Sequence, residues 1–247
     1  MIPLSAIPLP ARVADIWVYL AASPLWWLTV TLAAYALGER ISIRSGRHPL
    51  ANPVPIAAGL LICLLLATGT DYPAYFSGAQ FVHFLLGPAT VALAIPLYRN
   101  FARVRAAFLP MAVALAAGSV TAIASVVAIA WVLGAPRDVL LSLAPKSVTA
   151  PIAMSLSQSI GGIPTLTAVL VIATGIIGAM VVTPLMNALG LKDFAARGFA
   201  AGLAAHGIGT ARAFQVDPLA GTFAGIAMGL NGAITALIIT LIAFALK

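Results

Sequence analysis

The chain has 247 residues, 62% of them apolar and only 8% charged, with a mean hydropathy of +1.08. A water-soluble globule carries about 25% charged residues, so that class is excluded, together with disordered, collagen-like and disulfide-stapled secreted chains. Thirteen Lys and Arg against six Asp and Glu leave a net charge of +7, but the basic residues fall between apolar runs. That is the positive-inside pattern rather than a nucleic-acid footprint, and it implies an all-α polytopic membrane protein whose spans of about 20 apolar residues lie in the lipid bilayer.

Residues 1–10 lack the basic start of a cleavable leader, and 16–37 form the first expected span, with Trp17, Trp26 and Trp27 as interfacial anchors. A polar loop at 38–52 carries Arg40, Arg44, Arg47 and His48. A short span at 53–68 opens on Pro53 and Pro55 and holds the single cysteine, Cys63, expected to face lipid or pack. Residues 69–80 read as a loop whose one acid is Asp71. The run 81–98, with Gly87, Pro88 and Pro96, reads as a kinked span. Arg99, Arg103 and Arg105 then make a second basic loop before the long span 106–133.

Beyond Gly134 the pattern changes. Residues 145–162 read PKSVTAPIAMSLSQSIGG, too polar and too marked by Gly and Pro for a plain lipid-facing helix. A conventional span follows at 164–189, then a second short, Gly-rich and polar segment at 198–213, and a last span at 218–246. A gapless offset of 54 residues lays Ile172–Ala179 on Ile226–Ala233, Pro164 on Pro218, Ala150 on Ala204 and Gln158 on Arg212. This reads as a duplicated unit, an interrupted segment followed by a Pro-initiated helix, and such repeats mark secondary transporters. The expectation is about six full spans plus two interrupted helices, re-entrant or broken, in an inverted repeat. It is one membrane domain over 1–247, with 1–144 as scaffold and 145–247 as the repeat pair. If the interrupted segments are re-entrant, Arg40, Arg44, Arg47, Arg99, Arg103, Arg105, Lys192, Arg197 and Arg212 share the cytoplasmic side; if they cross fully, Lys192 and Arg197 move outside, which the positive-inside rule disfavours. Small residues at helical spacing in 172–179 and 226–233 predict close packing at Gly175 and Gly229.

Charge inside a membrane is costly, about 2.5–3.5 kcal/mol per central Lys or Arg, so Lys146 and Arg212 beside the interrupted segments draw attention. Lys146 comes with Ser147, Thr149, Ser155 and Gln158; Arg212 comes with His206, Gly207, Gly209 and Thr210. Broken backbone turns half-helix N-termini toward an anion. Two cations, an imidazole, hydroxyls and free backbone donors suit a small carboxylate bearing a hydroxyl or keto group. Snorkelling to the interface is the competing role for Lys146, and a cytoplasmic anchor for Arg212. His206 titrates near neutral pH, at about 6.5 when unperturbed. It is therefore the expected proton-coupling group, with Asp71 a second candidate. No metal-binding, nucleotide-loop or protease motif stands out, so neither catalysis nor a cofactor or metal is expected.

Two stretches carry a family resemblance. Pro145-Lys-Ser-Val-Thr-Ala-Pro151-Ile-Ala153 resembles the PKSVTTPIA signature of the LrgB/CidB family, and Gly202-Leu-Ala-Ala-His206-Gly-Ile-Gly-Thr210-Ala-Arg212-Ala213 resembles its second signature. Ala150 departs from the commoner Thr, which argues against an essential hydroxyl there. The resemblance runs from about residue 68 to the C-terminus. It implies a multi-pass protein of the bacterial inner membrane acting with a smaller LrgA/CidA-like membrane partner. It also implies similarity to the LrgB part of the plastidal glycolate/glycerate translocator. The expected function is secondary transport of small 2-hydroxy or 2-keto monocarboxylates of the glycolate, glycerate, lactate or pyruvate type, by a homo-oligomer. The alternative is a holin/antiholin-like pore or regulator of murein hydrolase export and cell lysis.

Overall fold

A computed structural model describes residues 23–85, 88, 91–92 and 94–245, and every regular element among them is helical. The chain divides into two units, residues 1–92 and 93–247. In the first, α1 (Pro24–Arg44) packs on α2 (Pro53–Thr68) and α3 (Tyr72–Phe84). Proline in the first turn of each helix costs no backbone hydrogen bond there. The Asn52 side chain caps α2 by accepting from the Val54 N–H at 3.0 Å. Trp27, fully buried, meets Tyr75 edge-on, and Glu39 pairs with Arg47 at 3.3 Å.

The loop expected at 69–80 is a correction. Gly69, at φ 62, ends α2 in a conformation that favours glycine, and Pro73 starts a new helix, so 72–80 is helical. In the run expected as a kinked span, 81–98, α3 ends at Phe84, and residues 88, 91–92 and 94–99 are again helical. Gly87 there, and residues 16–22 of the first expected span with Trp17, lie outside the described residues.

The second unit opens with two short basic helices, α4 (Ala94–Arg99) and α5 (Phe101–Ala106), and then α6 (Phe108–Val132). There follow α7 (Arg137–Leu143), α8 (Ala150–Ile160), α9 (Pro164–Ala188), α10 (Phe194–Val216) and α11 (Pro218–Ala245). Among the described residues α6, α9 and α11 are long and apolar enough to cross a membrane, and α2 is a shorter apolar helix. They wear their apolar side chains outward: Leu109, Val113 and Val120 on α6, Val169 and Ile177 on α9, Leu237 and Leu241 on α11. A surface of that kind is built for contact with lipid or another apolar partner. The buried core of the unit is small, with Met111 and Leu115 against Phe199, Leu203, Phe223 and Ala227.

Two interruptions organise this unit. Ala205 (φ −123°, ψ 17°) and His206 (φ 41°, ψ −132°) leave the helical region and split α10. A Cβ on Gly209 would stand 2.5 Å from the Ala201 carbonyl oxygen, whereas eight residues span about 12 Å in a straight helix. The two halves, 194–204 and 207–216, are therefore folded back on each other. Likewise α7 and α8 double back through the turn at 144–149: Ser142 Oγ accepts from the Ile163 N–H at 2.7 Å, and Thr167 Oγ1 lies 3.0 Å from the Ser142 carbonyl and 2.7 Å from Ser157 Oγ.

Helix directions follow from the contacts. Gly198 sits on Ala220 and Gly202 on Ala224, so the first half of α10 runs parallel to α11. Against α9 the order is reversed: His206 meets Val171, Ala205 meets Gly178, and Arg197 meets Asn187. Hence α9 and α11, the two Pro-initiated helices, run in opposite directions.

Candidate functional site

The two interruptions supply the groups that sequence singled out. The first break holds Lys146, half-buried, whose Nζ donates to Ser147 Oγ at 3.2 Å. Ser147 and Val148 beside it are buried. Thr149 stands at the N-cap of α8 without a side-chain capping bond.

The second break centres on His206, only 4% exposed. Its Nε2 lies 2.9 Å from the Val171 carbonyl; a carbonyl only accepts, so Nε2 carries the hydrogen and Nδ1 is the nitrogen left to gain or lose a proton. Room for the ring comes from Gly175, where a Cβ would stand 2.7 Å from the imidazole Cε1. Thr210 Oγ1 donates back to the His206 carbonyl at 2.8 Å. Gly209 is the close-approach point of the folded-back halves, and Gly207 opens the second half-helix. The two breaks come together through one side chain, since the Ser147 carbonyl of the first and the Leu203 carbonyl at the second both accept from the Asn231 amide at 3.1 Å.

The other candidates are spread out. Ser155 and Gln158 are exposed on α8. Arg212 lies six residues past His206, about 9 Å along a helix. It donates to Gln215 Oε1 at 3.3 Å and lines a small cleft with Arg197, Thr183 and Phe194 rather than with Lys146. Asp71, exposed, occupies the N-cap position of α3 in the other unit. Gly229 is a correction to the expected packing pair, because a Cβ there meets nothing within 4 Å. Among the described residues no group of three His, Cys, Asp or Glu gathers to hold a metal ion.

Sequence reasoning passed over Asn231. It is 1% exposed, and its Nδ2 donates to the Ser147 carbonyl and to the Leu203 carbonyl, both at 3.1 Å. Its Oδ1 accepts from Ser119 Oγ at 2.7 Å and from Thr235 Oγ1 at 3.2 Å. The available signal was an asparagine inside a long apolar helix, where a side-chain amide is costly unless it finds partners.

The LrgB-like family model matches residues 31–244. A holin-like protein CidB of Staphylococcus epidermidis is 32% identical over 221 residues, covering 90% of this chain and 95% of that protein. A Bacillus subtilis protein carrying the name YwbG is 35% identical over 208 residues, 84% of this chain and 92% of its own length. An antiholin-like protein LrgB of Bacillus mycoides is 30% identical over 217 residues, 88% and 94% of the two chains. No solved structure matches.

Proposed function

We propose, from the premise that this chain belongs to the LrgB-like family, that it acts in the bacterial inner membrane as a holin- or antiholin-like protein, as its curated relatives are named. In that role it opens, or holds closed, a passage through the membrane together with an LrgA/CidA-like small partner. The family names carry this reading further than any single residue does.

A second reading concerns what passes. One observation favours a small carboxylate: the break that holds Lys146 and the break at His206 are bridged by the Asn231 amide, which donates to the Ser147 and Leu203 carbonyls. We assign the anion to this junction, held by the Lys146 ammonium, Ser147, Thr149 and the N–H groups that open α8 and the half-helix at Gly207. Such donors favour negative charge. In this reading both folded-back segments are re-entrant, each entering and leaving on one side of the bilayer. The two interrupted segments, each with the Pro-initiated helix that follows it, form within 145–247 two copies of one unit in opposite orientation. His206 is the proton-coupled group, and Arg212 with Arg197 forms a second station for the anion.

Flux into proteoliposomes separates the readings. Saturable, stereoselective uptake of labelled glycolate or glycerate, driven by a proton gradient without sodium, supports a carrier. Non-saturable leakage of unrelated solutes, appearing or vanishing with the small partner, supports a holin-like passage and ends the carrier reading.

A further inference from the structure

We propose that Asn231 is the positioning residue of the two-break junction: from within α11 it clasps the first break at the Ser147 carbonyl and the second at the Leu203 carbonyl, and so holds Lys146 and His206 in register. The amide is used to capacity. Its two N–H groups go to two different interruptions, and its oxygen takes hydroxyls from Ser119 on α6 and Thr235 on α11. Two carbonyls on one side allow no exchange of amide oxygen and nitrogen, because oxygen would then face oxygen.

In an unbroken helix the Leu203 carbonyl accepts the N–H of residue 207, and the turn between them is the one that leaves the helical region at Ala205 and His206. In an apolar surrounding such a carbonyl needs a donor, and Asn231 is the donor supplied. The 54-residue offset places Ile177 over Asn231, and Ile177 is exposed and apolar. The clasp therefore belongs to α11 alone and ties both interrupted segments to that helix. The inference rests on reading the two breaks as one site, and not on which solute enters it.

The experiment uses the full chain in detergent, with Cys63 changed to Ser and one reporter at a time, Val148→Cys in the first break or Ala179→Cys within α9. Both native side chains are fully buried. The rate of modification by a small thiol reagent is measured with Asn231 intact and with Asn231→Leu. Labelling at position 148 is expected to rise at least about tenfold, as loss of two hydrogen bonds to one junction implies, while position 179 stays within about twofold. Thr235→Val, which removes one bond on the oxygen side, is expected to change neither. Should Asn231→Leu give no folded protein, Asn231→Asp, which exchanges the donor for an oxygen, is read by the same criterion. Unchanged labelling at 148 overturns the proposal, and so does an equal rise at both positions, the mark of general loosening. Glycolate binding by the parent chain is scored separately: its absence ends the carboxylate reading and leaves the labelling outcome untouched.

Discussion

His206 is held by two constraints at once. Its backbone, at φ 41°, lies where side chains larger than glycine rarely go, a strain of about 1–3 kcal/mol, and its ring is wedged against the backbone of α9. Gly175 makes the wedge possible. Gly175→Ala should therefore lower stability by about 1–3 kcal/mol, the usual cost of overpacking, and Gly229→Ala should leave it unchanged; unfolding of the purified variants in detergent compares the two. Lys146→Ala should weaken glycolate affinity by roughly 10- to 150-fold, the loss of one charge-assisted bond in a partly dry site. Arg103→Ala, in the basic helix α5, should not. Because Arg212 lies beyond the junction, Arg212→Ala should add to Lys146→Ala in the double variant. Interaction energy above about 0.5 kcal/mol in that cycle would place both on one anion instead.

At the level of elements, glycine acts through close approach. Gly198 and Gly202, one turn apart on α10, lie against the backbone of Ala220 and Ala224 on α11, the small-residue contact by which apolar helices associate without a hydrophobic drive. Gly198→Leu or Gly202→Leu should abolish folded protein, seen as lost monodispersity on size exclusion, whereas Gly59→Leu, with open space around its α2 position, should be tolerated. The folded-back segments also make a topological prediction. If both are re-entrant, cysteines placed at Arg103 and Lys192 are labelled from the same side of an intact cell, with one crossing by α6 and one by α9 between them. Labelling from opposite sides would mean that one interrupted segment crosses.

For the whole molecule, the family covers nearly the full described chain, while the junction proposed for the solute lies in the second unit. Both breaks, their Pro-initiated helices and Asn231 lie between residues 137 and 245. Passage through this protein should accordingly be sensitive to Lys146→Ala and Asn231→Leu and indifferent to Asp71→Asn, measured as glycolate flux into proteoliposomes. Loss of flux in Asp71→Asn at normal expression would move the coupling group to the first unit.

Composition alone determined the class of this protein, because 8% charge in 247 residues leaves water no surface to solvate. Apolar run length located α2, α6, α9 and α11 closely, and prolines 164 and 218 marked the first turns of α9 and α11. The helix at Tyr72–Phe84 was hidden because its polar and aromatic residues lack the uniform apolarity by which a span is recognised. Polarity in an apolar context identified the two interrupted segments, since broken backbone in lipid must carry its own partners. What decided their use was tertiary. The breaks that hold Lys146 and His206 are sixty residues apart in sequence and are joined only because two segments fold back so that Asn231 reaches both, while Arg212, spaced close to His206 in sequence, is carried away by a half-helix. Asn231 stayed illegible for the same reason: the partners of an amide are set by which carbonyls a fold leaves unpaired, and those exist only once the helices have broken and packed.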